Sequence, residues 1–276
     1  MSYEILKKRR LAPNVSEYEI KAELVSRHAE AGQFVILRVD DEGERIPFTV
    51  CDYDRNKGTI TILVQEIGYS TKKLQLLNVG DSVSDLVGPL GKKTDLQNYK
   101  RIALVGGGIG SAVIYPQAKK LNDEGRSATV ILGAREKSLV MYEDEFRQVA
   151  KNLIITTNDG SYGEKGFVTD VLKCGLEKGE YDCVMAVGPM PMMKAVSELT
   201  KPYNVKTIVS LNPLMIDGTG MCGGCRVTVG GKTKYACVDG PEFDGHEVLW
   251  EDAINRLTAY KEQEKQHLCR LTGEKE

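Results

Sequence analysis

The chain is 276 residues long, 41% hydrophobic and carries a formal net charge of -2. That length accommodates two modest cores, and the scattered basic residues exclude the clustered positive face that nucleic acid requires. The start, MSYEILKKRR, has no secretory apolar stretch, no later run approaches the ~20 apolar residues that span a bilayer, and of seven cysteines only Cys222, Cys225 and Cys237 cluster, unlike a secreted disulfide framework. A cytoplasmic protein without nucleic-acid or membrane partners is expected.

From Tyr3 to about Asn98 the pattern is short and β-rich, with runs such as VSEYEIKAEL, AGQFVILRV and GTITILVQEI separated by Gly, Asn and Asp turns. This predicts an antiparallel sheet or barrel. Within it, ERIPFTV places Arg45, Pro47, Phe48 and Thr49 on one extended segment, and IGYSTKKL places Gly68, Ser70 and Thr71 at a helix start. An arginine fork and a capped helix start can each serve a phosphate oxygen, so together the two segments could hold a flavin diphosphate. Taken singly, each also reads as a solvated edge residue or an ordinary cap.

The texture changes at Arg101. RIALVGGGIG, SATVILGAR, NLIITTNDG and YDCVMAVGP are apolar β-branched runs, each followed by a helix-length segment, which is the pattern of a parallel, doubly wound sheet. The boundary is expected between Gln97 and Lys100. VGGGIGSA sits between strand and helix, so Gly106, Gly107, Gly108, Ile109, Gly110 and Ser111 form a loop where backbone approaches a pyrophosphate at a helix N-terminus. It departs from the G-x-G-x-x-G fingerprint, since the third glycine falls on Ser111 and Arg135 stands about where a ribose-binding acid is usual. VGPMPMM, with Gly188, Pro189 and Met190, follows another buried strand and reads equally as a methionine stripe of the core.

After a last strand around Ile208 and Val209 comes a Gly- and Cys-rich segment to about Gly245, then EDAINRLTAYKEQEKQHL, expected as one helix. The loop DGTGMCGGC admits three chemistries. Zinc wants two close ligand pairs, but Cys237 has only the distant His246. A redox C-x-x-C prefers a helix start, whereas MCGGCRVTVGGKTKYACV reads as a glycine loop and a hairpin turning at Gly230-Gly231. The plant-type 2Fe-2S spacing, C-x4-C-x2-C with a more distant fourth cysteine, falls on Asp217, Cys222, Cys225 and Cys237. Asp217 keeps the charge of a thiolate; its other reading is the first residue of an Asp-Gly turn.

RIPFT, GYSTKKL, VGGGIGSAVIYPQAK, TNDGSYGEKGFVTDVL, VGPMPMMKAV, LNPLMIDGTGMCGGCRV and KYACVDGPEFDGHEV together resemble the ferredoxin-NADP reductase superfamily. Within it they are similar to the electron-transfer subunits of type B dihydroorotate dehydrogenase and the small subunits of NADH-dependent reduced ferredoxin:NADP oxidoreductase, also called sulfide dehydrogenase. The resemblance implies a β-barrel FAD domain over 1-98, an α/β NAD(P)-binding domain over 99-210, a 2Fe-2S loop and hairpin over 211-247, and a C-terminal helix over 248-276. It implies FAD near Arg45, Pro47, Phe48 and Thr49, with its diphosphate at Gly68, Ser70 and Thr71, and NAD(H) over Gly106 to Ser111 and near Gly188 and Pro189. It implies electron bifurcation in a heterodimer, where a larger flavin/iron-sulfur subunit meets ferredoxin and NADP(H). Dihydroorotate-type subunits carry cysteine where this chain has Asp217, and usually Cys-Gly-Pro where it has Val187-Gly188-Pro189, so the bifurcating enzyme is favoured. His28, His246 and His267 form no acid-base arrangement; a stand-alone flavin reductase and a nucleotide-binding redox sensor are the competing classes.

Overall fold

The computed structural model describes residues 3-257 and residue 263. The first part of the chain runs β1 (Tyr3–Ala12), β2 (Val15–Lys21), α1 (Glu23–His28), β3 (Phe34–Arg38), β4 (Arg45–Thr49), β5 (Asp52–Asp54), β6 (Thr59–Gln65), α2 (Tyr69–Leu76), β7 (Ser82–Val83) and β8 (Asp85–Leu90). These strands make two antiparallel sheets, β5-β6-β2-β1-β7 and β4-β3-β8. Both sheets turn alternate residues onto one shared core of Ile5, Tyr18, Ile20, Val35, Leu37, Phe48, Ile60 and Ile62, the period-2 pattern of a strand with one buried face. This is the expected barrel.

The second part runs β9 (Ile102–Gly107), α3 (Gly110–Asp123), β10 (Ala128–Ala134), α4 (Glu143–Val149), β11 (Asn152–Thr157), β12 (Glu164–Lys165), α5 (Val168–Glu177), β13 (Cys183–Val187), α6 (Met190–Thr200) and β14 (Lys206–Ser210). Its central strands β9 and β13 are buried on both faces, as helix-covered parallel strands must be, which is why they read as unbroken apolar runs. The third part supplies β15 (Arg226–Val229), β16 (Lys232–Tyr235), β17 (Glu242–Asp244) and α7 (Trp250–Arg256). β15 and β16 pair in register about Gly230-Gly231, both at positive φ, the two-residue turn that glycine pairs favour. β17 then joins the parallel sheet as an antiparallel edge, giving the order β12-β11-β10-β9-β13-β14-β17. Of the expected tail helix, α7 supplies the beginning and Gln263 is helical; the other residues after Leu257, His267 among them, lie outside the described residues.

The parts are pinned together by polar contacts. The Tyr142 hydroxyl, ahead of α4, donates to Glu17 on β2 at 2.7 Å, and Lys119 and Lys120 of α3 pair with Asp52 and Glu30.

Candidate nucleotide, flavin and cluster sites

The strand order reverses between β9 and β13, and in open α/β sheets ligands gather beyond the carboxyl ends of strands at such a point. Both adjoining turns lie there. A side chain on Gly110 would meet the Val187 carbonyl at 2.1 Å, and one on Gly106 would meet the Ser111 backbone at 2.8 Å, so these glycines let α3 seat tightly against the sheet. Gly108 differs: its φ is +56° and a Cβ there would face open space. Its N-H donates to the Gly133 carbonyl on β10, which leaves the loop surface clear for a ligand's backbone approach. Ile109 is half-buried and Ser111 buried in the first turn of α3. Gly188 packs on Gly107, exposed Pro189 precedes α6, and Met190 is buried in the core. Two helix starts, of α3 and α6, thus flank one crevice with their positive ends. Arg135 is exposed at the end of β10, beside Asp159, whose N-H reaches the Arg135 carbonyl.

On the barrel, β4 is an edge strand. Its register sets Arg45 opposite Arg38, Pro47 opposite Ile36 and Thr49 opposite Phe34. The Phe48 ring points the other way, into the barrel core, so Arg45, Pro47 and Thr49 present side chains to one face and Phe48 offers that face only backbone. At the start of α2, Thr71 accepts from the N-H groups of Ile67 and Gly68 at 3.0 Å each, and Ser70 donates to Glu44 at 2.8 Å. The hydroxyls are therefore spent on building the turn. What the turn offers an anion is the backbone of the first helical residues and the open space before Gly68. Because Glu44 adjoins Arg45 in the chain, the Ser70-Glu44 bond ties the start of β4 to the start of α2.

The cysteine loop folds onto the outer face of the three-stranded sheet. Met215, Cys225, Ala236 and Cys237 are buried with Phe34 and Ile36 of β3, and a Cβ at Gly218 would strike Leu90 and Ile36. The Cys225 and Cys237 thiols lie 3.2 Å apart. Backbone N-H groups of Gly224 and Cys237 point at the sulfurs of Cys222 and Cys225, both at 3.4 Å. Burial, with Cys225 alongside, pushes the Cys237 thiol up to about 12; a thiolate here needs a compensating cation or metal. Cys222 is exposed at the loop's tip.

Asp217 is engaged in the loop itself. Its two oxygens accept the N-H groups of Thr219 at 3.0 Å and Cys222 at 2.8 Å, which hold its carboxyl below the ordinary carboxylate range. Among the described residues no three His, Cys, Asp or Glu side chains close into a metal cage. The donor set nevertheless suits an iron-sulfur cluster: paired sulfurs, a third on a glycine-jointed loop, and amides aimed at sulfur. His246 bonds Thr200 of α6 at 2.9 Å, and Asp239, like Asp217, accepts a backbone amide, the Tyr235 N-H.

Residues 212-249 match the family model of the iron-sulfur cluster binding domain of dihydroorotate dehydrogenase B. Over 276 residues, 99% of this chain and 98% of the relative, the sequence is 44% identical to a dihydroorotate dehydrogenase B (NAD(+)) electron transfer subunit homolog of Thermotoga maritima. It is 36% identical to the electron transfer subunit of that enzyme from Shouchella clausii, over 89% of this chain and 96% of the relative. Among solved structures, a chain from the NADH-dependent reduced ferredoxin-NADP oxidoreductase, studied for flavin-based electron bifurcation, superposes with a TM-score of 0.93 at 44% identity, covering 99% of this chain and 98% of that one. The chain belongs to the family of dihydroorotate dehydrogenase B electron transfer subunits and their homologues.

Proposed function

We propose that the chain is the electron-transfer subunit of a flavin-based bifurcating oxidoreductase, working between NAD(H), FAD and a 2Fe-2S cluster and delivering electrons to a larger flavin/iron-sulfur subunit. The observation that carries this reading is the double role of β3. One edge of the strand pairs with β4, the flavin segment, and its outer face carries Cys225 and Cys237. Strands lie ~4.8 Å apart, so the two sites are neighbours by construction.

In this reading residues 1-98 hold FAD, 99-210 the nicotinamide nucleotide and 211-247 the cluster. Arg45, Pro47 and Thr49 line the flavin, Phe48 supports their strand, and the α2 turn at Gly68, Ser70 and Thr71 takes the diphosphate. The loop from Gly106 to Ser111, with Gly188, Pro189 and Met190, receives the nucleotide, and Arg135 stands at its adenosine end. Asp217, Cys222, Cys225 and Cys237 ligate the iron; a carboxylate oxygen that accepts one N-H retains a lone pair for the metal. When bound, the nucleotide exchanges hydride, the flavin exchanges electrons in pairs or singly, and the cluster exchanges one at a time. The protein sets their spacing, their orientation and their access to water.

The loop surface supports a partner there. Met221 is 89% exposed, and Leu214, Ile216 and Val238 are exposed around it. Their gathering at the proposed exit point for electrons fits a heterodimer interface, through which ferredoxin and NADP(H) would be reached. No described helix is long and apolar enough to cross a membrane, and a cytoplasmic setting suits the exposed thiol. Asp217, in place of the cysteine of dihydroorotate-type subunits, favours the bifurcating enzyme over the pyrimidine one. Anaerobic purification followed by iron, acid-labile sulfide and flavin analysis tests the assignment: FAD with iron and sulfide in equal amounts is expected, and zinc without sulfide would overturn it.

A further inference from the structure

Glu242, on the returning strand β17, belongs to none of the three sites. Its carboxyl turns inward to a junction of four segments: the turn at Gly32 before β3, the linker between barrel and parallel sheet at Thr94, α3 at Gln117, and β17 itself. Glu242 Oε1 lies 2.5 Å from Thr94 Oγ1, and the Thr94 N-H donates to the Ala31 carbonyl.

The hydrogen bonds at this junction can be counted. The Gln117 amide is satisfied in one orientation, with its nitrogen donating to the carbonyls of Val113 at 2.7 Å and Ile114 at 3.2 Å. Its oxygen then accepts from the Gly32 N-H at 3.2 Å and from the Thr94 hydroxyl at 3.0 Å. The reverse orientation sets donor against donor and acceptor against acceptor. Thr94 has a single hydroxyl hydrogen and two acceptor oxygens facing it, Glu242 Oε1 at 2.5 Å and the Gln117 oxygen at 3.0 Å, so both contacts are hydrogen bonds only when the glutamate supplies a second hydrogen.

We propose that Glu242 is a neutral carboxylic acid in the folded protein and a positioning residue, donating its proton to Thr94 and so fastening the cluster-bearing segment to the linker and to α3. The inference stands independently of the electron-transfer reading. Burial acts in the same direction, pushing Glu242 up to about 7. Among the described residues no opposite charge faces it. Lys92, Lys93 and Asp95 on the linker are exposed, Lys120 of α3 is paired with Glu30, and Lys206 of β14 is paired with Asp244 of β17. The nearby Cys183 thiol on β13 is itself raised to about 12 by burial and stays neutral. Loss of the proton would oblige Thr94 to turn its hydrogen from Gln117 to Glu242, releasing one bond between linker and α3, the helix that begins at the nucleotide loop.

The sign of the pH effect follows. An unfolded glutamate ionises near 4.5 while the folded one holds its proton to about 7, so stability declines as pH rises across that window and is level above it. The test uses the cofactor-loaded protein carrying 13C-labelled glutamate. Infrared spectra at pH 6 should show a protonated carboxyl band that disappears in E242Q, shifts in T94V and titrates away on the alkaline side of neutrality. E242Q keeps a permanent N-H donor, so its thermal midpoint should be less sensitive to pH between 5 and 8 than that of the wild type, by several degrees. Absence of a band responding to either substitution, or identical pH profiles for wild type and E242Q, would overturn the proposal; if E242Q fails to fold, the wild-type band and its response to T94V decide.

Discussion

The thiols of Cys225 and Cys237 stand 3.2 Å apart although eleven residues intervene, because the hairpin of β15 and β16 brings the chain back beside its own start. Ala236 donates its N-H to the Cys225 carbonyl, which locks that return. The pair is thus set by the hairpin's register, and Cys222 by the glycine loop. A serine at Cys225 or Cys237 should therefore abolish the cluster while leaving the flavin bound, read as loss of iron and sulfide at unchanged flavin content. Retention of the full iron complement in Cys237→Ser would contradict the ligand assignment.

Asp217 accepts two loop amides besides its proposed role as an iron ligand, and substitution distinguishes the two. Asp217→Cys should keep a 2Fe-2S cluster with an altered midpoint potential, since ligand softness changes while formal charge does not. Asp217→Ala removes both the ligand and the two amide caps, and should lose the cluster or render it labile. An unchanged EPR signal and potential in Asp217→Ala would mark Asp217 as a turn residue only.

At the nucleotide crevice, Gly108→Val places its side chain in open space on the ligand side, at a backbone φ of +56° that costs roughly 1-2 kcal/mol for a residue with a Cβ. The protein should fold, retain FAD and lose flavin bleaching by NADH. Gly110→Ala should behave differently, destabilising the fold because its methyl meets the Val187 carbonyl. Stopped-flow bleaching and thermal melting distinguish the two; normal bleaching in Gly108→Val would displace the site.

Much of this was legible in the chain. The buried strands of the parallel sheet announce themselves as apolar runs, whereas the sequence groups Arg45, Pro47, Phe48 and Thr49 on one segment and it is the fold that turns the Phe48 ring away into the barrel core. The spacing of the cysteines points to a shared site, and the fold brings Cys225 and Cys237 together. β17 could not be read from the chain: EFD is three residues long with a single apolar residue, Phe243, too short for alternation to mark a strand. The contact of Tyr142 with Glu17 was equally hidden, since it joins residues 125 positions apart and neither carries a local signal. For the same reason the Glu242 junction, built from four distant segments, appears only once the chain is folded.

Tyr142→Phe tests the contact between barrel and parallel sheet. Burial holds the Tyr142 phenol far above its ordinary range, so it remains a donor to Glu17, and its loss leaves a buried carboxylate that keeps its bonds from Arg9. A destabilisation of about 1-3 kcal/mol is expected, measured by urea denaturation, with cofactor content unchanged.

Met221→Asp tests the docking face. A charge at the tip of the loop should prevent co-purification of the larger subunit, seen by size-exclusion chromatography, while NADH still bleaches the flavin of the isolated chain. An intact complex would place the interface elsewhere.

The central claim is that electrons from NADH reach the cluster through this chain. Its most direct measurement is EPR spectroscopy of the anaerobic, cofactor-loaded protein before and after NADH, with Gly108→Val alongside. Flavin bleaching accompanied by a reduced 2Fe-2S signal, both missing in the variant, is the predicted result. A flavin that bleaches while the cluster remains oxidised and EPR-silent, or a cluster reduced equally well in Gly108→Val, would contradict it.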